Sequence, residues 1–339
     1  MTVQASVRQA KDYATNQEVR WCPGCGDFAI LRAVQKALSE LGADPDRTVF
    51  VSGIGCAARM PYYLATYGFH GIHGRAPAIA TGVKLADPTL DVWVVGGDGD
   101  MLSIGTNHLL HALRRDVDLT ILLLNNAVYG LTKGQASPTS PRGTRSPSSP
   151  EGTVERPMMA CRLALAAGGS FVARGIDTQM KLLPETLKRA KRHPGAAMVE
   201  IIQNCIVYND GGFDSFASRE AAAEHQLLLE HGKPLRFGEG GTKGLRLRPG
   251  TAKLEVVELG EDGVGPEDLL VHDETDLALA QLLANLEPPM PVPIGVLYAA
   301  PAPTSFERAV HAGREPGTAA DLDAFIRRAT TWQVGPGES

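Results

Sequence analysis

Asp91-Val92-Trp93-Val94-Val95-Gly96-Gly97-Asp98-Gly99-Asp100 decides how this chain of 339 residues folds. Its first half is an apolar run of strand length, rich in β-branched and aromatic residues, and it runs straight into a glycine-rich turn. Residues 103–113 then carry a helical pattern, and a second apolar run, 119–124, closes on Asn125-Asn126. Two uninterrupted apolar strands joined by a helix are the repeating unit of a parallel sheet covered on both faces. The alternation continues on either side. Asp27–Leu41 has Phe28, Ile30, Leu31, Val34, Leu38 and Leu41 at helical spacing, and 48–51 reads as a buried strand ending in Gly53-Ile54-Gly55-Cys56. A strand at 171–173, a helix over 178–192 and a strand at Ala197–Ile202 complete the pattern. The expected fold class is α/β, a mostly parallel sheet with helices on both faces over residues 1–210. From about Gly211 the alternation weakens and charged or Gly/Pro-rich segments dominate, so 211–339 is expected to be an irregular C-terminal extension. Ligands of such sheets bind at the carboxyl ends of the strands, where the glycine clusters and the Asn pair fall.

Composition narrows the classes of function. A hydrophobic content of 43% supports a substantial core, and a formal charge of −5 gives no footprint for nucleic acid or an anionic membrane. Residues 2–20 are polar and mixed in charge, which predicts neither a signal peptide nor a membrane span and places the chain in the cytoplasm. Structural disulfides do not persist there, so the five cysteines are expected to be free or to serve a metal or redox centre.

The turn Gly97-Asp98-Gly99-Asp100 and the pair Asn125-Asn126 carry chemistry together. Glycines let the backbone approach a phosphate, and the following helix offers free N–H groups to an anion. Asp98 supplies a hard carboxylate for a divalent metal bridging to that phosphate, and Mg²⁺ takes few protein ligands besides phosphate oxygens. Asn126 sits one strand–helix–strand unit after Asp98, so the two lie side by side. A lone Gly-Asp-Gly is more often an ordinary turn; the strand before it, the helix after it and the Asn pair favour the site.

The second constellation is Trp21-Cys22-Pro23-Gly24-Cys25-Gly26, with Cys56 and Cys205 further along the chain. Four thiolates suit an Fe–S cluster or a structural Zn²⁺. Ligands dispersed beside strand ends favour a cluster built into the main fold over a small zinc module. A thioredoxin-like dithiol would leave Cys56 and Cys205 without a role. Cys161, in a helical pattern over 158–167, reads as a small buried hydrophobe. Residues 136–150, almost all Ser, Pro, Thr, Gly and Arg, read either as a flexible linker or as a loop over an active site. His70, His73, His108 and His111 read first as structural histidines.

Gly97-Asp98-Gly99 followed by Asn125-Asn126 resembles the thiamine diphosphate motif. Joined to Trp21–Gly26, Gly53–Cys56, His73-Gly74-Arg75 and Asn126-Ala127-Val128-Tyr129-Gly130-Leu131-Thr132-Lys133-Gly134-Gln135, it resembles the β subunit of 2-oxoacid:ferredoxin oxidoreductases, in the 2-oxoglutarate branch. The similarity continues through Gln203-Asn204-Cys205 and His231-Gly232-Lys233-Pro234 to Val271-His272-Asp273-Glu274-Thr275, nearly the whole chain. The resemblance implies a thiamine diphosphate-binding fold. It implies Mg²⁺ ligands at Asp98, Asn126 and the carbonyl of Val128, and thiamine diphosphate contacts at Ile54, Gly55, Cys56, Ala57, His73, Gly99, Asp100, Gly130 and Leu131. Cys22, Cys25, Cys56 and Cys205 match the ligands of one [4Fe–4S] cluster. Arg59 and Lys133, with Leu131, fall near the reacting end of the cofactor and match candidates for holding substrate carboxylates.

The activity so implied is oxidative decarboxylation of a 2-oxoacid with coenzyme A to acyl-CoA and CO₂, succinyl-CoA for 2-oxoglutarate, possible in reverse. Electrons would leave singly through the cluster to ferredoxin. Thiamine diphosphate performs the difficult chemistry and the protein orients it. A single diphosphate-binding unit lacks the glutamate that contacts the aminopyrimidine, so an α subunit is expected to complete the site, in a heterodimer or an (αβ)₂ heterotetramer. The chain lacks a C-x-x-C-x-x-C-x-x-x-C run and thus a ferredoxin domain of its own. Alternatives are a pyruvate or broad 2-oxoacid enzyme, a non-redox thiamine decarboxylase or synthase, and a zinc-stabilised scaffold without activity.

Overall fold

The computed structural model describes residues 8–261, 263–300, 304–313 and 317–328. Its strands in chain order are β1 (Thr48–Ser52), β2 (Tyr67–His70), β3 (Asp91–Gly97), β4 (Thr120–Asn125), β5 (Val128–Tyr129), β6 (Gln135–Ala136), β7 (Phe171–Ile176), β8 (Ala197–Ile202), β9 (Gln226–Leu228), β10 (Arg236–Phe237), β11 (Lys243–Leu247), β12 (Leu254–Glu258) and β13 (Val292–Ala299). Eight of them form one sheet in the order β2-β1-β3-β4-β8-β7-β13-β9. The first six run parallel; β13 pairs antiparallel with β7 and parallel with β9.

The central strands are buried along almost their whole length because alternate side chains enter two different cores. Val92 and Val94 of β3, with Ile121 and Leu123 of β4, pack on one face; Trp93 and Val95, with Leu122 and Leu124, pack on the other. On that second face Trp93 stacks on Phe50 of β1, ring centroids 5.4 Å apart. The helix Asp27–Leu41 covers this face and stops at Gly42, whose φ of 64° suits the left-handed C-terminal position that favours glycine.

Four neighbouring strands, β1, β3, β4 and β8, therefore end at the same edge. From it emerge Gly53–Cys56, Asp98–Asp100, Asn126–Val128 and Gln203–Cys205. Topology alone gathers the two constellations of the sequence.

The structure departs from expectation at the margins. The helix expected at 103–113 is Thr106–Arg115, because Asp98–Met101 forms a short helix of its own against the strand end. β2 escapes the sequence pattern because all four of its residues are exposed on the sheet edge. β13 is hidden by Pro293 and by Gly295, which has φ 121°. The described residues after Gly211 supply β9 and β13 to the main sheet, and β10–β12 form a separate small antiparallel sheet.

One buried polar network crosses the sheet. Arg174 of β7 and Glu200 of β8 are register neighbours, and Arg174 Nε donates to Glu200 Oε2 at 2.8 Å. Asn125 Nδ2 donates to Oε1 at 2.8 Å, and Cys161 Sγ donates to Oε2 at 3.2 Å, so Cys161 is a buried polar partner as well as a core residue. Burial alone would raise the Glu200 carboxyl; the Arg174 guanidinium and these donors overcome that and hold it below the usual range. Removing one member leaves a buried charge unpaired. Glu200→Ala is expected to cost about 3–5 kcal/mol in urea unfolding. Since the folded carboxyl value is depressed, wild type holds this advantage above the unfolded glutamate value of about 4.3 and loses it as the pH falls through the folded one. A loss under about 1 kcal/mol at pH 7 would contradict the assignment.

Candidate active site

A cavity of about 440 Å³ opens at the shared strand edge. Ile54, Gly55, Cys56, Ala57, His73, Asp98, Gly99, Asp100, Asn126, Val128, Gly130 and Leu131 all line it. These are the residues that the resemblance placed at the diphosphate, the metal and the adjoining turn.

Asp100 holds the cradle together. It is 2% exposed, and its Oδ1 accepts from Ile54 N at 3.1 Å, His73 Nδ1 at 2.7 Å and Gly74 N at 2.7 Å. One carboxylate oxygen thus fixes both the turn after β1 and the His73 loop. A Cβ on Gly53 would lie 2.0 Å from Asp100 Oδ2, so only glycine lets this turn approach. Gly99 is constrained in the same way: a Cβ there would meet the Tyr129 ring at 2.3 Å, and the Tyr129 hydroxyl donates to Gly99 O at 3.0 Å.

Asp98 begins the short helix after β3 and is 1% exposed. Its Oδ2 accepts hydroxyl hydrogen bonds from Ser137 and from Thr139, the latter at 2.6 Å. No cationic side chain among the described residues pairs with it, and burial pushes its carboxyl above the usual range despite those hydroxyls. A buried carboxylate without a cation fits a divalent metal. Asn126 and Val128 line the same cavity after the neighbouring strand end, so the residues at hand could offer one carboxylate, one amide and one carbonyl, all hard oxygens suited to Mg²⁺.

The cysteines gather beside this cradle. The Trp21 indole donates to Cys56 O at 2.8 Å, and Gly26 N donates to Asn204 O at 3.2 Å, tying the C-x-x-C turn to the segments that carry Cys56 and Cys205. A Cβ on Gly130 would lie 3.6 Å from Cys205 Sγ and 3.7 Å from Cys56 Sγ, so this cavity-lining glycine after β5 packs directly against two of the sulfurs. All four thiols are free. Burial, then the neighbouring acid and thiol groups, pushes Cys56 up to about 11, and burial raises Cys25 further. Among the described residues no three Cys, His, Asp or Glu side chains stand close enough to ligate a single metal ion. Four thiols are soft donors of the kind that an Fe–S cluster or Zn²⁺ takes.

Two candidates lie elsewhere. Arg59 lines a separate cleft with Arg20, Tyr62 and His70, and its Nη1 donates to Arg20 O at 3.2 Å. Lys133 is exposed, with φ 79°, at the turn between β5 and β6 and does not line the cavity.

Sequence reasoning passed over Asp27 and Gln203, both of which line the cavity. Asp27 is 1% exposed with neither oxygen hydrogen-bonded, and burial pushes its carboxyl up to about 7. Gln203 Nε2 donates to Cys25 Sγ at 3.2 Å while its Oε1 has no partner. Asp27 was visible only as the first residue of a helix, and Gln203 only as one residue of the Gln203-Asn204-Cys205 stretch. The segment 136–150 is also no free linker: Ser137 and Ser140 are buried, and Gly143 N donates to Thr153 O at 2.8 Å.

Residues 53–201 match the family of the thiamine pyrophosphate enzyme C-terminal TPP-binding domain. The chain is 49% identical over 281 residues to the 2-oxoglutarate oxidoreductase subunit KorB of Mycobacterium tuberculosis, covering 82% of this chain and 74% of that protein. It is 49% identical over 199 residues to a 2-oxoacid:ferredoxin oxidoreductase subunit beta of Aeropyrum pernix, covering 59% of this chain and 64% of that protein. Among solved structures, it is similar to the 2-oxoglutarate:ferredoxin oxidoreductase of Magnetococcus marinus with 2-oxoglutarate, coenzyme A and succinyl-CoA bound. There the TM-score is 0.73 and the identity 33%, over 97% of this chain and 98% of that one.

Proposed function

The chain belongs to the family of 2-oxoacid:ferredoxin oxidoreductase β subunits, and from that premise we propose that it is the β subunit of a 2-oxoglutarate:ferredoxin oxidoreductase. The observation that carries the reading is that Gly130 and Cys56 both line the diphosphate-type cradle, with Gly130 packed against the sulfurs of Cys56 and Cys205. A non-redox thiamine enzyme needs the cradle and has no use for the thiols; a zinc scaffold has no use for the cradle.

Bound thiamine diphosphate supplies decarboxylation at the keto carbon, and a [4Fe–4S] cluster supplies one-electron acceptance. The chain's own residues do the rest. Asp98, Asn126 and the Val128 carbonyl hold Mg²⁺, and Asp100 fixes the Ile54 turn and His73 around the diphosphate. Tyr129 locks Gly99 and so sets the width of the cradle. Cys22, Cys25, Cys56 and Cys205 would bind the cluster as thiolates, so loading it would release protons, and at Cys25 and Cys56 it would do so against the burial that raises their thiols. An α subunit would complete the site, and coenzyme A, ferredoxin and a 2-oxoacid complete the set of partners. No helix among the described residues is long and apolar enough to cross a membrane.

The test is the complex purified anaerobically with its α subunit. Iron and acid-labile sulfide in equal amounts, with magnesium-dependent thiamine diphosphate binding, support the reading. A colourless, iron-free protein that decarboxylates would establish the non-redox alternative, and stoichiometric zinc without thiamine diphosphate binding would establish the scaffold.

Lys133 lies outside the cavity wall, two residues after the cavity-lining Leu131, and we propose that its long side chain turns in to hold the distal carboxylate of 2-oxoglutarate by a charge-assisted hydrogen bond, a group that pyruvate lacks. Lys133→Ala is expected to lower kcat/KM for 2-oxoglutarate about tenfold or more while leaving pyruvate within about twofold. Equal losses for both substrates would remove this assignment.

A further inference from the structure

The Ser/Pro-rich segment is tied to the metal ligand itself. β5 and β6 form a short hairpin with Val128 opposite Ala136, which delivers Ser137 directly over Asp98. The hydroxyls of Ser137 and Thr139 both reach Asp98 Oδ2. Among the described residues no side-chain donor reaches Oδ1. The turn that presents these hydroxyls is braced on the strand that carries the other metal ligands: Ser137 N donates to Ser140 Oγ at 2.8 Å, and Ser140 Oγ donates to Ala127 O at 2.7 Å. Thr139 Oγ1 also lies 2.9 Å from Asn125 Oδ1. A hydroxyl has one hydrogen, so Thr139 serves the nearer, charged acceptor.

We propose that Ser137 and Thr139 are positioning residues for the metal: together they hold Asp98 Oδ2 and leave Oδ1 as the oxygen offered to the cavity. Residues 136–150 thereby couple cofactor retention to their own folding. The inference rests on the reading of Asp98 as a metal ligand and deepens it. A carboxylate fixed at one oxygen has lost its rotational freedom before the metal arrives, and partners of this kind are worth about 10–100-fold in metal affinity.

The experiment uses the αβ complex, stripped with a chelator and titrated with Mg²⁺ at saturating thiamine diphosphate by equilibrium dialysis. Thr139→Val and Ser137→Ala are each expected to weaken Mg²⁺ binding about 10–100-fold, with iron content unchanged and kcat recovered at high Mg²⁺. Thr139→Ser, which keeps the hydroxyl, is expected to bind within about threefold of wild type. A merely structural role would lower the melting temperature without moving Mg²⁺ affinity. Unchanged affinity in both hydroxyl deletions, with Asp98→Asn losing it, overturns this inference alone. Unchanged affinity in Asp98→Asn as well removes the metal site itself. Should Thr139→Val fail to accumulate, Ser137→Ala decides between the same outcomes.

Discussion

Asp98→Asn is expected to destroy magnesium-dependent thiamine diphosphate binding, by more than about a hundredfold, and at the same time to stabilise the cofactor-free protein. The two effects have one cause. Asp98 is buried, has no cationic side chain beside it, and is held above the usual carboxylate range by burial. A carboxyl whose folded value is raised binds its proton more tightly in the folded state. Its ionisation at neutral pH therefore costs stability, and that cost disappears as the pH falls below the unfolded value of about 3.9. Asparagine keeps the shape and removes the charge, so the apoprotein melts higher at pH 7 and the gap from wild type closes in acid. A metal restores to wild type what the charge costs, and the variant cannot recover it. A variant that binds the cofactor normally, or one whose apo form melts lower at pH 7, would contradict the account.

Cys56→Ser separates the two centres. Cys56 lines the cavity, and its sulfur stands with that of Cys205 against Gly130. Serine is nearly isosteric and leaves the cradle intact, but an alkoxide is a poor ligand for iron beside soft thiolates. Iron content is expected to fall to near zero and coenzyme A-dependent reduction of ferredoxin by at least about a thousandfold, while thiamine diphosphate affinity stays within about fivefold. Loss of the cofactor together with the cluster would mean that the two sites fold as one. Retained iron would remove Cys56 from the ligand set.

The centre of the fold was legible because the central strands are buried on both faces and announce themselves as unbroken apolar runs. β3, β4 and β8 follow the sequence pattern to within two residues of their ends, and the helix Asp27–Leu41 begins and ends where its spacing predicts. The cradle was legible for a related reason: glycine is required where Gly53 passes Asp100 and where Gly99 passes Tyr129. What stayed hidden depends on long-range pairing. β2 is exposed and β13 contains Pro293 and Gly295, so neither has the pattern that burial imposes elsewhere. Asp27 and Gln203 look like ordinary residues until the fold buries both Asp27 carboxylate oxygens and Gln203 Oε1 without partners. Ser137 and Thr139 were concealed by their company, since a Ser/Pro/Gly composition reads as a linker whether or not its hydroxyls find a carboxylate. Arg59 shows the opposite failure: its position in the motif suggests the cavity, and the chain turns it into a neighbouring cleft.

The most direct measurement is anaerobic reduction of ferredoxin by the αβ complex, followed with 2-oxoglutarate and with pyruvate, with and without coenzyme A. The account predicts reduction that requires thiamine diphosphate and coenzyme A, yields succinyl-CoA and CO₂, and is faster with 2-oxoglutarate. Decarboxylation that proceeds without reducing ferredoxin, from a protein with a full complement of iron, would contradict it.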